Sequence, residues 1–293
     1  MAFGVAAYLL WGLLPLYWPL LAPATAVEIL AHRIVWSLLV VLAILAIQRD
    51  WHWLSGIGGR RLALLGLAAV IISLNWATYI HGVTSGQVVE TSLGYFINPL
   101  VTVMLGVVVL RETLRPAQWA AIALAAVAVT VLTVDYGRPP WIALVLACSF
   151  AGYGFLKKRA GVGAVHSLTV ETAVLLLPAL AFLLALSVRG SGTIGEAGSG
   201  HAVLLAGAGV VTAAPLLCFG AAAIRVPLTT IGLLQYLAPV MQFVLGVLVF
   251  REAMPLSRWL GFVLVWAALV VLTADALRSV RRRQLAAAAE AVA

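Results

Sequence analysis

Charged residues are scarce in this 293-residue chain: Asp, Glu, Lys and Arg make up 10% of it, whereas 64% of the residues are hydrophobic. A soluble globular domain carries about 25% charged residues, which cover its water-facing surface. This composition therefore excludes an ordinary soluble domain. Together with a mean hydropathy of +1.11, it favours an integral membrane protein.

Cysteine and the common cofactor motifs are also scarce. The two cysteines, Cys148 and Cys218, lie in apolar stretches, which excludes a disulfide scaffold and predicts buried thiols without a zinc or redox role. The chain has no G-x-x-x-x-G-K-S/T loop and no H-E-x-x-H motif. We therefore expect no cofactor and no metal, and ATP-driven transport by this chain alone is unsupported.

Long apolar runs dominate what remains. A bilayer core of about 30 Å requires about 20 apolar residues in a helix, and ten runs of that kind are present. The sequence thus predicts an all-α integral membrane protein with ten transmembrane helices. The runs are 2–21, 26–48, 61–80, 87–110, 116–134, 140–157, 166–187, 201–223, 228–250 and 257–275.

The distribution of positive charge predicts the orientation. Cytoplasmic loops carry an excess of Lys and Arg, and with an inner amino terminus 13 of the 18 such residues face inward and 4 face outward, Arg33 alone lying in a span. Both termini are thus expected in the cytoplasm. The basic tail, 277–293, is expected to lie against an anionic inner leaflet; it lacks a folded platform for nucleic acid. The inward set is Arg49, Arg60, Arg61, Arg111, Arg115, Lys157, Lys158, Arg159, Arg225, Arg278, Arg281, Arg282 and Arg283.

The chain contains an internal repeat. A shift of 140 residues aligns 95–135 with 235–275, with 14 identities in 41 pairs. This predicts two repeats of five spans, 1–138 and 139–276, and because five is odd the second repeat is inverted. Such repeats are typical of secondary transporters, which bind substrate near the midplane. The matched pairs include Pro99/Pro239, Arg111/Arg251, Glu112/Glu252, Trp119/Trp259 and Asp135/Asp275.

Ionisable groups inside the spans point to function. Each costs about 2.5–3.5 kcal/mol on insertion scales, and Arg33 lies about 10 Å into the second span. Its guanidinium suits a bidentate bond to an anionic substrate; the alternative is a structural pair with Glu28 or Glu90. His32, Glu90 and Glu171 are candidates for proton coupling, although Glu90 equally fits a helix end in water.

Two matched prolines predict interruptions. Pro99 and Pro239 each remove a backbone hydrogen bond, and interrupted helices at corresponding positions of two halves point to a binding site. The alternative is a packing kink whose polar groups are satisfied between helices. Trp76, near a helix end, is expected to lie at the membrane interface. The predicted pocket comprises Arg33, Asn75, Tyr79, Tyr95, Asn98, Tyr153, Gln235 and Tyr236.

Four stretches resemble a known family. They are Glu28-Ile-Leu-Ala-His-Arg33 with Trp36-Ser37, Asn75-Trp76 with Tyr79-Ile80, Ser92-Leu-Gly-Tyr-Phe-Ile-Asn-Pro-Leu100 and Gln235-Tyr-Leu-Ala-Pro239. They are similar to the RarD-type branch of the EamA family, in the drug/metabolite transporter superfamily. The resemblance implies two inverted five-helix halves, a bacterial plasma membrane, and export of small metabolites or drugs.

These observations predict a secondary transporter that works by alternating access on a small-molecule substrate. The alternative is a passive channel or scramblase, since a duplicated membrane protein need not be a carrier. An intramembrane enzyme is not expected, because it needs a nucleophile with a base, or a metal set. The sequence leaves the solute, the coupling ion, the direction of transport and the oligomeric state open.

Overall fold

The computed structural model describes residues 1–111, 113–195, 197–223, 225 and 228–290, and within these ranges the chain forms helices and no strand. Nine helices of this part are long and apolar enough to cross a membrane, which confirms an all-helical membrane protein. The helices are α1 (Ala2–Tyr17), α2 (Ala26–Gln48), α3 (Gly59–Thr84), α4 (Val88–Leu110), α5 (Pro116–Tyr136), α6 (Trp141–Ala160), α7 (Ala164–Val188), α8 (Ser199–Ala223), α9 (Leu228–Leu234), α10 (Leu237–Val244) and α11 (Leu256–Glu290).

The span predicted over 228–250 is not one long helix. It consists of α9, α10 and a π-helical segment, Leu245–Val249, with an interruption at Gln235 and Tyr236. Pro239 has no N–H to offer the carbonyl of Gln235, four residues earlier. The interruption therefore falls one turn before this proline.

Pro99 behaves differently, because α4 runs through it without interruption. The helix break predicted at Pro99 is therefore not found. The uninterrupted α4 packs closely against α6. A Cβ added to Gly94 would lie only 2.9 Å from the carbonyl oxygen of Ala143 on α6. Asn98 also donates a hydrogen bond to the carbonyl of Ala147 on α6, at 3.1 Å. We infer that these contacts hold α4 together despite a proline cost of about 3 kcal/mol.

Helices α5 and α11 pack side by side and run in opposite directions. Asp135, near the end of α5, accepts a hydrogen bond from the Arg258 guanidinium, at the start of α11, at 2.9 Å. Arg115, just before α5, forms an ion pair of 2.7 Å with Asp275, further along α11. The first residues of each helix thus lie beside later residues of the other.

Helices α2 and α7 also run in opposite directions. Ala31 and Ile34, in the first part of α2, share a core cluster with Leu175 and Ala179, from the middle of α7. Further along α2, Leu38 and Val41 instead pack with Leu168, near the start of α7. The 140-residue shift relates α2 to α7 and α5 to α11, so corresponding helices lie antiparallel in both pairs.

Other helix contacts also occur in pairs related by the shift. It converts α4 beside α6 into α10 beside α1, and α3 beside α6 into α8 beside α1, and all four contacts are present. Arg111 and Arg251, 140 residues apart, both have left-handed backbones, with φ of 55° and 53°, which is uncommon outside glycine. Glu112, the predicted counterpart of Glu252, lies outside the described residues.

The two cysteines differ from the expectation of buried thiols. Cys148 is exposed on the bundle surface and Cys218 is partly exposed. The prediction of buried thiols is therefore wrong. A thiol behaves as a small apolar group, so it can face lipid as well as the protein interior.

The helix α11 continues to Glu290, so most of the predicted basic tail prolongs the last helix, and 291–293 lie outside the described residues.

Candidate functional site

Arg33 on α2 is a buried cation without an ionic partner in the part of the chain that the structure describes. Its exposed fraction is 5%, and no hydrogen bond or ion pair joins its guanidinium to another described residue. Glu28 instead accepts from Thr193, at 2.7 Å, and Glu90 pairs with Arg138, at 2.8 Å. The alternative of a structural pair between Arg33 and either carboxylate is therefore not found.

Two tryptophan rings flank this guanidinium. Its Cζ atom lies 4.0 Å from the ring centroid of Trp76 and 5.4 Å from that of Trp18. A cation–π contact contributes about 0.5–2 kcal/mol, whereas the penalty for burying an ion is several kcal/mol even after relaxation. The rings therefore offset only part of that penalty, and a guanidinium in this setting can bind an oxyanion.

Further unpartnered donors belong to the same neighbourhood. The Tyr79 hydroxyl and the Trp18 Nε1 are buried and have no hydrogen-bond partner within the described ranges. Tyr79 stacks edge-on against Tyr95 with ring centroids 5.7 Å apart, and both tyrosines pack in the core cluster that contains Trp18. We call Trp18, Arg33, Trp76, Tyr79 and Tyr95 the arginine cluster.

Asn75 supports this cluster from α3. Its side-chain amide donates to the carbonyl of Leu146, at 3.1 Å, and to the hydroxyl of Ser149, at 2.9 Å, both on α6. Its carbonyl oxygen accepts a long hydrogen bond from Tyr95, at 3.5 Å. Asn75 therefore orients Tyr95 and fastens α3 to the second half of the chain.

The structure thus brings together Arg33, Asn75, Tyr79 and Tyr95 of the predicted pocket. Apart from Arg33 on α2, the members of the arginine cluster come from the segment before α2 (Trp18), from α3 (Trp76 and Tyr79) and from α4 (Tyr95). Leu146 of α6 and Leu205 of α8 share a core cluster with Trp18 and Tyr79. Two helices of the second half are therefore packed against a site built by the first half.

The other four predicted pocket residues are engaged differently. Asn98 is bonded to α6, as described above, and Tyr153 donates to Glu171, at 3.1 Å. Gln235 is exposed at the interruption before α10, and Tyr236 packs beside the core that contains Val89 and Phe96. Sequence spacing placed these groups in one pocket, but the helix contacts distribute them over several interfaces.

The three candidates for proton coupling are all buried. Glu171 pairs with Lys157, at 2.9 Å, and Glu90 accepts from Arg138 and from the Ile142 N–H, at 3.0 Å, which caps α6. No other residue that the structure describes forms a hydrogen bond with the Nε2 atom of His32. Both carboxylates therefore have a cationic partner that protonation would release.

One loop contact joins the start of α2 to the connection between α7 and α8. A Glu28 oxygen accepts from the Thr193 N–H, at 2.7 Å, and from the Thr193 hydroxyl, at 2.9 Å. The same hydroxyl lies 2.9 Å from His201 Nε2. We call this contact the Glu28 tie.

A second loop contact joins the connection after α2 to the start of α7. The Nε2 atom of His166 lies 2.8 Å from a carboxylate oxygen of Asp50, and the ring of Trp53 stacks on His166 with centroids 4.5 Å apart. We call this contact the Asp50 tie. Because α2 and α7 are antiparallel, the two ties lie at opposite ends of this helix pair.

Comparison with known proteins assigns the chain to a family. It is 61% identical over 283 residues to Protein RarD of Streptomyces exfoliatus, covering 96% of this chain and 90% of that protein. It is 42% identical to an uncharacterized transporter of Pseudomonas aeruginosa, covering 95% and 94% of the two chains. A solved structure entitled "Crystal structure of protein" superposes with a TM-score of 0.56 at 18% identity, covering 94% of this chain and 97% of that one; it supports the fold alone.

Apolar helices of this length, together with relatives that are transporters, define a multi-pass membrane transporter of the drug/metabolite type. The model of the EamA-like transporter family matches the chain twice, over residues 1–134 and 139–274. The chain belongs to the EamA-like transporter family and is of the RarD type, which confirms the resemblance seen in the sequence.

Proposed function

We propose that this transporter is a secondary carrier that exports small metabolites or drugs by alternating access and binds an anionic group of its substrate with Arg33. The observation that carries the proposal is that Arg33 is 5% exposed and that its guanidinium has no ionic partner among the described residues. Asn75 orients the site, and aromatic rings form its walls.

The proposed carrier consists of two inverted halves, 1–138 and 139–276. Supporting observations are the antiparallel packing of α2 with α7 and of α5 with α11, and the separate match of the family model to each half. Inverted repeats place substrate between the halves, which rock against each other. Arg33 lies seven residues into α2, about 10 Å by helical rise, so the proposed anion site lies on the outer side of the midplane.

The proposed location is the inner membrane of a bacterium, with both termini in the cytoplasm. The excess of Lys and Arg in alternate connections supports this orientation. In this arrangement the basic extension of α11 lies beside anionic lipid of the inner leaflet. No partner protein or nucleic acid enters the proposal.

Labelling of introduced cysteines tests the inverted arrangement. In a background with Cys148→Ser and Cys218→Ser, the variants Arg111→Cys and Arg251→Cys are treated with a membrane-impermeant thiol reagent in right-side-out and inside-out vesicles. We expect Arg111→Cys to react from the cytoplasmic side and Arg251→Cys from the other side, because an inverted repeat places equivalent helix ends on opposite faces. Reaction of both from one side would show that the repeats are parallel.

Counterflow distinguishes a carrier from a channel or scramblase. Proteoliposomes loaded with unlabelled solute should accumulate labelled solute transiently and saturably, because a carrier exchanges one molecule for another at a single site. A passive pore gives no such overshoot.

The same vesicles test proton coupling through His32, Glu90 or Glu171: transport that does not respond to an imposed pH gradient would remove that part of the proposal.

A further inference from the structure

We infer that the arginine cluster selects organic anions that carry one negative charge and no positive charge. The ligand class is a carboxylate, or a comparable planar oxyanion, attached to an apolar or aromatic body. Zwitterionic amino acids are disfavoured. This inference rests on the proposed function, since it concerns the ligand of the same site.

The first argument is the distribution of carboxylates. A zwitterion needs an acidic group to pair with its ammonium group, but every carboxylate whose side chain is described already has a partner, and none of these partners belongs to the arginine cluster. The seven are Glu28 with Thr193, Asp50 with His166, Glu90 with Arg138, Asp135 with Arg258, Glu171 with Lys157, Glu252 with the Val89 N–H, and Asp275 with Arg115.

The second argument is the excess of donors in the site. The Arg33 guanidinium and the Trp18 indole N–H can only donate hydrogen bonds, and the Tyr79 hydroxyl is unpaired. A carboxylate only accepts hydrogen bonds, whereas an ammonium group only donates them. The side-chain oxygen of Asn75, the nearby amide acceptor, already receives the Tyr95 hydroxyl. Two of these three groups can only donate, so the set complements an oxyanion better than an ammonium group, which could use only the Tyr79 hydroxyl oxygen as an acceptor.

The third argument concerns the geometry around the guanidinium. The rings of Trp76 and Trp18 lie 4.0 and 5.4 Å from its central carbon, and no hydrogen bond joins its N–H groups to another residue of the described ranges. A carboxylate can approach such a guanidinium edge with two parallel hydrogen bonds. One guanidinium balances one negative charge. The surrounding rings provide contact area for an apolar body, which a small inorganic anion would leave unused.

Binding of four compounds that share a phenyl body tests the inference. They are 3-phenylpropionate, L-phenylalanine, 3-phenylpropionamide and 2-phenylethylamine, titrated calorimetrically into the full-length protein in lipid nanodiscs. We expect 3-phenylpropionate to bind at least about tenfold more tightly than each of the others. L-Phenylalanine differs from it only by the α-ammonium group. Equal affinity for these two would overturn the inference, and so would binding of none of the four at millimolar concentration.

Variants assign the selectivity to the arginine cluster. We expect Arg33→Gln to weaken binding of 3-phenylpropionate about tenfold or more and to remove its advantage over the amide. The exposed Arg61 provides the matched control, because Arg61→Gln removes the same charge outside the cluster. Tyr79→Phe, which deletes only one hydroxyl, gives a second variant should Arg33→Gln fail to fold. Unchanged selectivity in the folded variants would also overturn the inference.

The counterflow assay separates this inference from the proposed function. If 3-phenylpropionate binds selectively but shows no counterflow, the carrier proposal fails for this ligand and the anion preference stands. If L-phenylalanine exchanges as fast as 3-phenylpropionate, the carrier stands and the anion preference fails.

Discussion

At the scale of single residues, Trp76 shows where sequence patterns mislead. A tryptophan near the end of an apolar run is typical of the membrane interface, yet this ring lies over the Arg33 guanidinium. Nothing in the spacing separates the two roles, because the contact depends on how α3 crosses α2. Trp18 was likewise absent from the predicted pocket. Arg33 itself was identifiable, because a cation in an apolar run is costly wherever the helix packs.

The contact between Trp76 and Arg33 is expected to be measurable in a double-mutant cycle. Trp76→Leu, Arg33→Met and the double variant should give a coupling free energy of about 0.5–2 kcal/mol in reversible unfolding in detergent, because either substitution removes the cation–π contact. Trp119→Leu, on an exposed tryptophan of α5, provides the control and should show no coupling to Arg33→Met. Equal coupling in both cycles would contradict the assigned contact.

Lys157 and its neighbour Lys158 form a natural matched pair. The Lys157 ammonium bonds to the fully buried Glu171, whereas Lys158 is exposed. We expect Lys157→Met to destabilise the protein by about 3–5 kcal/mol, because it leaves a buried carboxylate without its cationic partner, and Lys158→Met to change thermal stability little. Adding Glu171→Gln to Lys157→Met should recover part of the loss. An equal effect of the two lysine variants would contradict this account.

At the scale of elements, the two matched prolines have different outcomes. Pro239 follows an interruption, whereas α4 continues through Pro99. The sequence identifies a missing backbone hydrogen bond at both positions. It does not indicate how neighbouring helices pack around the proline, such as the close contact of α4 with α6 at Gly94. Apolar length and repeat spacing therefore predicted the helices well. Which side chains meet in the site depends on how the helices cross one another, which the sequence does not specify.

The Glu28 and Asp50 ties give a reciprocal prediction for hydrogen exchange. Glu28→Ala removes the acceptor of the Thr193 N–H, so amide exchange should accelerate in the connection between α7 and α8. Asp50→Ala should instead accelerate exchange in the connection after α2. Each variant is the control for the other when peptides are followed by mass spectrometry. Acceleration in both connections from either variant would indicate general loosening and contradict two local ties.

At the scale of the whole molecule, Arg33 is only 5% exposed in the described conformation. The proposed alternating access would expose it when the bundle opens toward each side in turn. The Glu28 and Asp50 ties connect helices of different halves at opposite ends of the α2–α7 pair. We therefore propose that opening each side releases the tie at that end.

Crosslinking tests this gating scheme. In the background without native cysteines, Asp50→Cys and His166→Cys are joined by a short bifunctional methanethiosulfonate linker, and a second protein carries the equivalent pair at Glu28 and Thr193. Each crosslink should abolish counterflow, and reduction should restore it, because a carrier must open both sides in every cycle. Single-cysteine variants treated with the same linker provide the control. Full counterflow in either crosslinked protein would show that its tie is not a gate.

The ion pairs between α5 and α11 also bear on the membrane itself. Arg115 and Asp135, which bind Asp275 and Arg258 respectively, are separated by twenty positions of one helix, or about 30 Å of rise. That length equals the hydrocarbon thickness of an ordinary bilayer, about 30 Å. The pair of helices therefore carries one ion pair at each end of a segment that matches the hydrocarbon core. In a bilayer of lipids with longer acyl chains, an ion pair would lie inside the hydrocarbon, so we expect acyl-chain length to change the stability of this helix pair.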